Sequence, residues 1–407
     1  MSAIISSEKL NVSFVLKLAK AMHEAGLPTH RLEEGLTDLC TKIGLEAEFF
    51  CTPGSIFASI KENGNFNAHL IKVHFSDLNL EKIDALEKLS FNFTKKEIST
   101  ENALKELDLI QKGKALYSNF VMTLFFAIST GSAACVFGGK FPEIICSFLI
   151  GLGIGAMFSS LSIFPRLGKV IVLISAVWAV LVSSFFQTYF IGFKQDIATI
   201  CGLIILIPGF SFTISITEMV NNHLIAGISR FTSAFINFMM IAIGVGVGSK
   251  IMDQIQVASN PFAELSFPFY VKWIALIFVP LGFVVLFKAK MKDFVWIALA
   301  CWTSYFMYSY TSKLTHPVIA VFISSFTLGI VSNLFAILRK RNVSLMLVPG
   351  MILLVPGSLG FFSISQLLHS NTLAGINTAL EMLATSLALV FGLIFANIFV
   401  SVEKIKT

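Results

Sequence analysis

Charge is scarce in this chain. Of its 407 residues 13% are charged and 55% hydrophobic, and the mean hydropathy is +0.80. Soluble proteins carry about a quarter charged residues, so this balance excludes an ordinary soluble enzyme and reads as a polytopic membrane protein. The net charge of +6 does not point to nucleic acid. The basic residues sit in short loops between apolar runs, as membrane topology requires. Cysteine is sparse too. Cys40, Cys51, Cys135, Cys146, Cys201 and Cys301 show no CxxC and no metal spacing, which leaves them reduced and assigns no metal. No GxxxxGK[ST] motif is present to drive a pump with ATP, and no GxSxG or HExxH to support a hydrolase. No cofactor is implied, and the chain reads as a non-enzyme. The first residues, up to about Phe14, lack a basic stretch followed by an apolar one. That argues against a cleavable signal and for a cytoplasmic N-terminus.

What charge there is gathers at the front. Residues 1–115 read as a small cytoplasmic α+β domain. Leu10, Phe14, Leu18, Ala21 and Met22 follow helical spacing, and Leu32, Leu36, Leu39, Cys40 and Ile43 form a second stripe that Thr29 is placed to cap. The period then drops to two through Ala47, Phe49 and Cys51, and again through Ile56, Ala58 and Ile60. Pro53-Gly54 and Asn63-Gly64 supply the turns. A third strand is expected from about Phe66 to Phe75, then two more helices.

From Tyr117 onward ten apolar segments follow, at about 118–138, 142–163, 168–191, 197–217, 229–249, 269–288, 293–311, 316–337, 343–366 and 373–400. Each is near the roughly 20 residues that span a bilayer. With the N-terminus inside, the inner flanks carry Lys112, Lys114, Arg166, Lys169, Arg230, Lys288, Lys290, Lys292, Arg339, Lys340, Arg341, Lys404 and Lys406. The outer flanks carry only Lys140, Lys194, Lys250, Lys272 and Lys313. Thirteen against five is the positive-inside bias, and it puts both termini in the cytoplasm.

Two stretches look alike. Residues 203–216 and 351–364 are apolar runs broken by Pro208-Gly209 and Pro356-Gly357, each followed by hydroxyl-bearing residues. Proline removes a backbone donor and glycine loosens the helix. In hydrocarbon such a break persists only where protein buries it or where it lines a cavity. Breaks in spans four and nine imply two five-helix halves, 116–250 and 269–407, joined by an outer linker at 251–268. Five is odd, so the second half enters inverted, and the paired breaks point to a transporter's central site. Exposed amides there suit a carboxylate. Pro349-Gly350, seven residues before Pro356-Gly357, is expected to weaken the same helix face again.

Thr29-His30-Arg31-Leu32-Glu33, the run 50–57 around Thr52-Pro53-Gly54, Ile207-Pro208-Gly209 with Thr213, Glu218 and Ser229-Arg230, and Ser332-Asn333 with both later Pro-Gly pairs resemble the threonine/serine exporter family. The likeness covers nearly the whole chain. It implies efflux of a small polar metabolite across a bacterial inner membrane, with hydroxy amino acids and dicarboxylates such as succinate both open. In some relatives the two halves are separate proteins; here they are fused. Where relatives often carry an acid early in the tail after the first Pro-Gly, this chain has Phe210 and Ser211.

The candidate substrate residues are therefore Pro208, Gly209, Ser211, Thr213, Ser215, Asn333, Pro349, Gly350, Pro356, Gly357, Ser358 and Ser363. Each hydroxyl and Asn333 has a plainer reading as a bond within or between helices. Glu218, Arg230 and Glu381 are the candidates for coupling or gating, since an ionisable group in a span is a functional hypothesis. Glu218 and Arg230 equally suit an ion pair. Glu381 lies about two turns into span ten and is the preferred proton carrier. The expected activity is proton-driven export; a channel or mechanosensitive pore through the same breaks is the alternative. The expected partners are a small solute and lipid, with homo-oligomerisation open.

Overall fold

The computed structural model describes residues 2–62, 64–73, 78–161, 163–254, 271–368 and 371–401. It opens with α1 (Ser2–Glu24) and α2 (Thr29–Ile43), continues through β1 (Ala47–Thr52), β2 (Ser55–Glu62) and β3 (Asn65–Lys72), and then α3 (Leu80–Thr94) and α4 (Thr100–Lys112). This is the α-α-β-β-β-α-α order that the periodicity predicts. The strands form one antiparallel sheet in the order β1-β2-β3. Thr52 pairs with Ser55 across the Pro53-Gly54 turn, and Glu62 with Asn65 across 63–64, where Gly64 has φ +85°. The expected end of the third strand, beyond Val73, lies outside the described residues. One sheet face packs on the helices. Phe14, Leu18, Leu32, Leu36, Ile56, Ile83 and Leu107 close a single apolar core there, driven by the area removed from water.

The apolar part runs α5 (Asn119–Val136), α6 (Phe141–Ser160), α7 (Ile171–Tyr189), α8 (Gln195–Leu203), α9 (Gly209–Val220) and α10 (Leu224–Asp253). It resumes with α11 (Val271–Leu286), α12 (Phe294–Thr311), α13 (Pro317–Arg339), α14 (Ser344–Ile352), α15 (Gly357–Leu368) and α16 (Thr372–Phe399). Among the described residues seven helical stretches are long and apolar enough to cross a bilayer, with α11 a shorter apolar helix beside them. α10 runs to Asp253, past the expected start of the linker at 251; residues 255–268 of that linker lie outside the described residues.

A register runs through the second part of each half. Gly209, which opens α9, and Gly357, which opens α15, are 148 positions apart, and both helices have 12 residues. The same offset links Ser215 to Ser363, Gly227 to Gly375 and Gly244 to Gly392. Contacts recur with it. A Cβ on Gly227 would lie 2.8 Å from the Ser215 carbonyl, and one on Gly375 3.0 Å from the Ser363 carbonyl. Such close helix approach needs small residues.

Candidate functional site

Both helix breaks exist, and they touch. Helix α8 ends at Leu203 and α9 begins at Gly209; α14 ends at Ile352 and α15 begins at Gly357. A methyl group built on Gly209 would lie 3.0 Å from Gly357 Cα, and one on Gly357 would lie 3.6 Å from Gly209 Cα. Only residues without a side chain allow this approach. Pro208, Gly209, Pro356 and Gly357 are all buried. The starts of two helices therefore meet. First-turn amides have no partner within their own helix, and each helix start carries roughly half a positive charge. Ser211 and Ser358 stand in these first turns, both half-buried.

The neighbouring hydroxyls are already engaged. Thr213 Oγ1 donates to the Gly209 carbonyl at 3.1 Å, and Ser215 Oγ to that of Phe212 at 2.6 Å. Ser363 Oγ donates to the Gly375 carbonyl at 2.8 Å, tying α15 to α16. Asn333 does not join the breaks by its hydrogen bonds. Its amide reaches Asn397 Oδ1 and the Val400 carbonyl, both at 2.7 Å, and locks α13 to the end of α16. Pro349-Gly350 is not a second break: α14 runs through both. A proline there forfeits one helical hydrogen bond, and Gly350 gives close packing instead, with a Cβ position 3.1 Å from the Ala300 carbonyl.

Glu218 lies at the far end of α9, wholly buried. Arg230 Nε donates to its Oε2 at 3.0 Å. Its Oε1 accepts from both the amide and the hydroxyl of Thr29, at 3.2 and 2.8 Å. Thr29 is thus the first residue of α2 rather than its cap. Pro28 takes the cap position without a side-chain bond, and a carboxylate from another helix complements the α2 start. Around this contact Glu33 faces His223, with Oε2 3.4 Å from Nδ1, and accepts from the Cys51 amide at 2.6 Å. Arg31 donates to Ser344 Oγ at the start of α14. Burial first, then Arg31, His223 and Arg230, hold the His30 imidazole down to about 3, so it is neutral there. The Thr29–Glu33 run and the Thr52-Pro53-Gly54 hairpin are joined at one junction.

Glu381 is half-buried in α16. Its neighbour Met382 packs on the first turn of α15: the sulfur would be 2.9 Å from a Cβ on Gly360. Glu381 therefore stands at the depth of the second break.

Three acidic residues, Glu143, Asp293 and Asp84, carry no signal that sets them apart as candidates in the sequence. Glu143 is 1% exposed and accepts from the amides of Lys140 at 2.8 Å and Lys194 at 2.7 Å. Its place at the third residue of a helix that begins Phe141-Pro142 is a capping signal alone. Arg341 pairs with Asp293 and, at 3.1 Å, with Asp84 of α3. Burial would raise the Asp84 carboxyl, but Lys88 and Arg341 outweigh it and hold it below its usual range. No sequence signal separates Arg341 from the basic run it ends. Among the described residues no His/Cys/Asp/Glu group could hold a metal.

Comparison with known families finds two matches along the chain. Residues 13–252 match the family described as "Putative threonine/serine exporter", and residues 272–399 match that described as "Threonine/Serine exporter, ThrE". The chain belongs to the threonine/serine exporter family. Its curated relatives include the fungal "Pheromone-regulated membrane protein 10". The Eremothecium gossypii protein is 24% identical over 96% of this chain and 54% of its own length. The Kluyveromyces lactis protein is 25% identical over 90% of the chain and 39% of its own length, and the Saccharomyces cerevisiae one 23% over 92% and 49%. The chain thus spans about half, or less, of the curated relatives it matches. No solved structure matches it. Family and apolar helices together make it a multi-pass membrane protein of an exporter family. The expectation of a bacterial inner membrane draws no support from these fungal relatives.

Proposed function

We propose that the chain is a secondary transporter that exports a small carboxylate-bearing solute, a hydroxy amino acid or a dicarboxylate, with proton influx as the drive. The observation that carries this reading is the backbone contact between Gly209 and Gly357. It brings two helix starts together inside apolar protein, and opposed helix starts favour an anion, although the Gly209 and Gly357 amides themselves donate to the Ile207 and Val355 carbonyls. Ten crossings follow, with α8–α9 and α14–α15 as broken spans four and nine. The 148-residue register between the halves and the basic bias of the inner flanks support a 5+5 inverted repeat with both termini and the front domain in the cytoplasm. Ser211 and Ser358, half-buried in the first turns of α9 and α15, are the hydroxyls closest in sequence to the breaks. Thr213, Ser215 and Ser363 reach the solute only by exchanging a backbone bond for it. Glu381 is the proton carrier in this scheme, and the fully bonded Glu218–Arg230 pair serves gating.

Purified protein in liposomes preloaded with threonine, serine or succinate tests this. Efflux of at least one solute is expected to saturate and to quicken with an imposed proton gradient, and Glu381→Gln is expected to remove the gradient dependence. Efflux without gradient dependence would overturn the coupling; non-saturating ionic currents would replace the transporter with a pore.

A further inference from the structure

The front domain is attached to the two halves in different ways. On the second half it is anchored by α3. Leu80 is buried in the same apolar cluster as Val284, Ile297 and Leu345. The amides of Leu80 and Glu81 donate to the carbonyls of Phe287 and Lys288 at 3.0 and 3.3 Å. Asp84 shares Arg341 with Asp293. On the first half the α2 tip makes polar contacts, Thr29 to Glu218 and Glu33 to His223, with the His30 and His223 rings 6.2 Å apart beside them. A docked surface opens first where it buries least apolar area, so the tip is the side that releases.

The tip grips a lever. Glu218 is nine residues along α9 from Gly209, about 13 Å of continuous helix at 1.5 Å per residue. One end of α9 is therefore held by the front domain and the other end makes the backbone contact at the breaks. Any movement that parts Gly209 from Gly357 toward the cytoplasm must carry Glu218 away from Thr29, or carry the tip with it.

We propose that the front domain is a clasp on the inner mouth: fixed to the second half by α3, it keeps α9 of the first half closed through the α2 tip, and each opening toward the cytoplasm requires the tip to let go. This rests on the transporter reading for its consequence but not for its geometry. Arg31, bonded to Ser344 of the second half, keeps the tip from leaving with α9.

The test uses the full chain in liposomes. In one variant Glu33→Cys and His223→Cys are joined by a short, reductively cleavable bis-maleimide. In another Thr29→Val loosens the tip. Both also carry Ile216→Cys, buried two turns into α9, as a reporter for a membrane-impermeant maleimide added from the cytoplasmic side after linking. The native cysteines are all buried and form a constant background. Linking is expected to slow reporter labelling and solute efflux at least tenfold, with both restored by cleavage in the same preparation. Thr29→Val is expected to speed labelling several-fold. Equal labelling with the linker intact and cleaved, or a folded pair that does not link, would overturn the clasp. Failure of every preparation to transport, with labelling still controlled by the linker, would instead remove the transporter reading and leave the clasp standing.

Discussion

At the end of α9 the carboxylate of Glu218 meets Arg230; 148 positions later, at the end of α15, Gln366 accepts from Thr378 at 2.8 Å. The two halves place the same contact on the same scaffold, charged in the first and neutral in the second. A second pair of contacts differs likewise. Glu143, at the start of α6, binds the backbone just before α8. Asp293, just before α12, holds Arg341 just before α14, and Arg341 also holds Asp84 of the front domain. In each half an acidic group near its second helix tethers the approach to its broken helix. Glu218 and Asp293 both stand where the front domain docks, beside Thr29 and beside the Arg341–Asp84 pair. Charge pairs with charge where the front domain docks, whereas Glu143 meets backbone amides and Gln366 a neutral hydroxyl. A buried charge costs several kcal/mol unless it is paired, so its placement marks where the molecule needs a specific contact.

The largest break in this comparison comes from Arg341→Met. It leaves Asp293 without its cation and Asp84 with Lys88 alone, and removal of one partner from a buried pair costs about 3–5 kcal/mol. Glu143→Gln keeps an oxygen that accepts one of the two backbone bonds, so the loss is nearer 1–3 kcal/mol, roughly that of one unsatisfied donor. Thermal unfolding in detergent ranks the two. A milder Arg341 variant would show that the triad adds little to docking.

Acid sharpens the contrast between the two attachments. Burial lowers the His23 imidazole, against a hydrogen bond to the Thr52 carbonyl that favours its charge, and burial with Arg31, His223 and Arg230 alongside holds His30 down to about 3. Both therefore take up protons more readily when the tip is undocked. Docking is lost progressively as the pH falls below about 6.5, the ordinary imidazole value, toward 3. Glu33, raised by burial above its ordinary 4.5, works the other way. The Asp84 contribution, with its pKa held low, persists until the pH falls through the usual carboxylate range. Between pH 7 and 5 hydrogen exchange should rise at the start of α2 and stay unchanged at the start of α3. Equal rises at both would mean the attachments release together.

The apolar helices, the breaks and the front-domain order are legible in the sequence because each rests on local composition: an apolar run, a Pro-Gly pair, a change of period from 3.6 to 2. The junction is not. Thr29 and Glu218 are 189 positions apart, and nothing local distinguishes a threonine that caps its own helix from one that donates to another. Pro349-Gly350 shows the same limit in reverse. Its composition is that of Pro208-Gly209, yet the helix continues, with Gly350 packed against Ala300. Glu143 and Asp293 were hidden by position: an acid at a helix start reads equally as a solvated cap or a buried tether.

The smallest expected effect lies within one helix. On α10, a Cβ at Gly244 would fall 2.6 Å from Ala176 Cβ, whereas one at Gly246 would meet nothing within 4 Å. Helix propensity favours alanine over glycine by about 1 kcal/mol at both positions. At Gly244 that gain is opposed by forcing α7 and α10 apart, and overpacking of this kind costs about 1–3 kcal/mol. The second half agrees: 148 positions on, the counterpart of Gly244 is Gly392, itself crowded by Phe322, while the counterpart of Gly246 is Ile394. Gly246→Ala should thus raise the unfolding temperature slightly and Gly244→Ala lower it. If both rise, the glycines of α10 are no part of the packing that the two halves share.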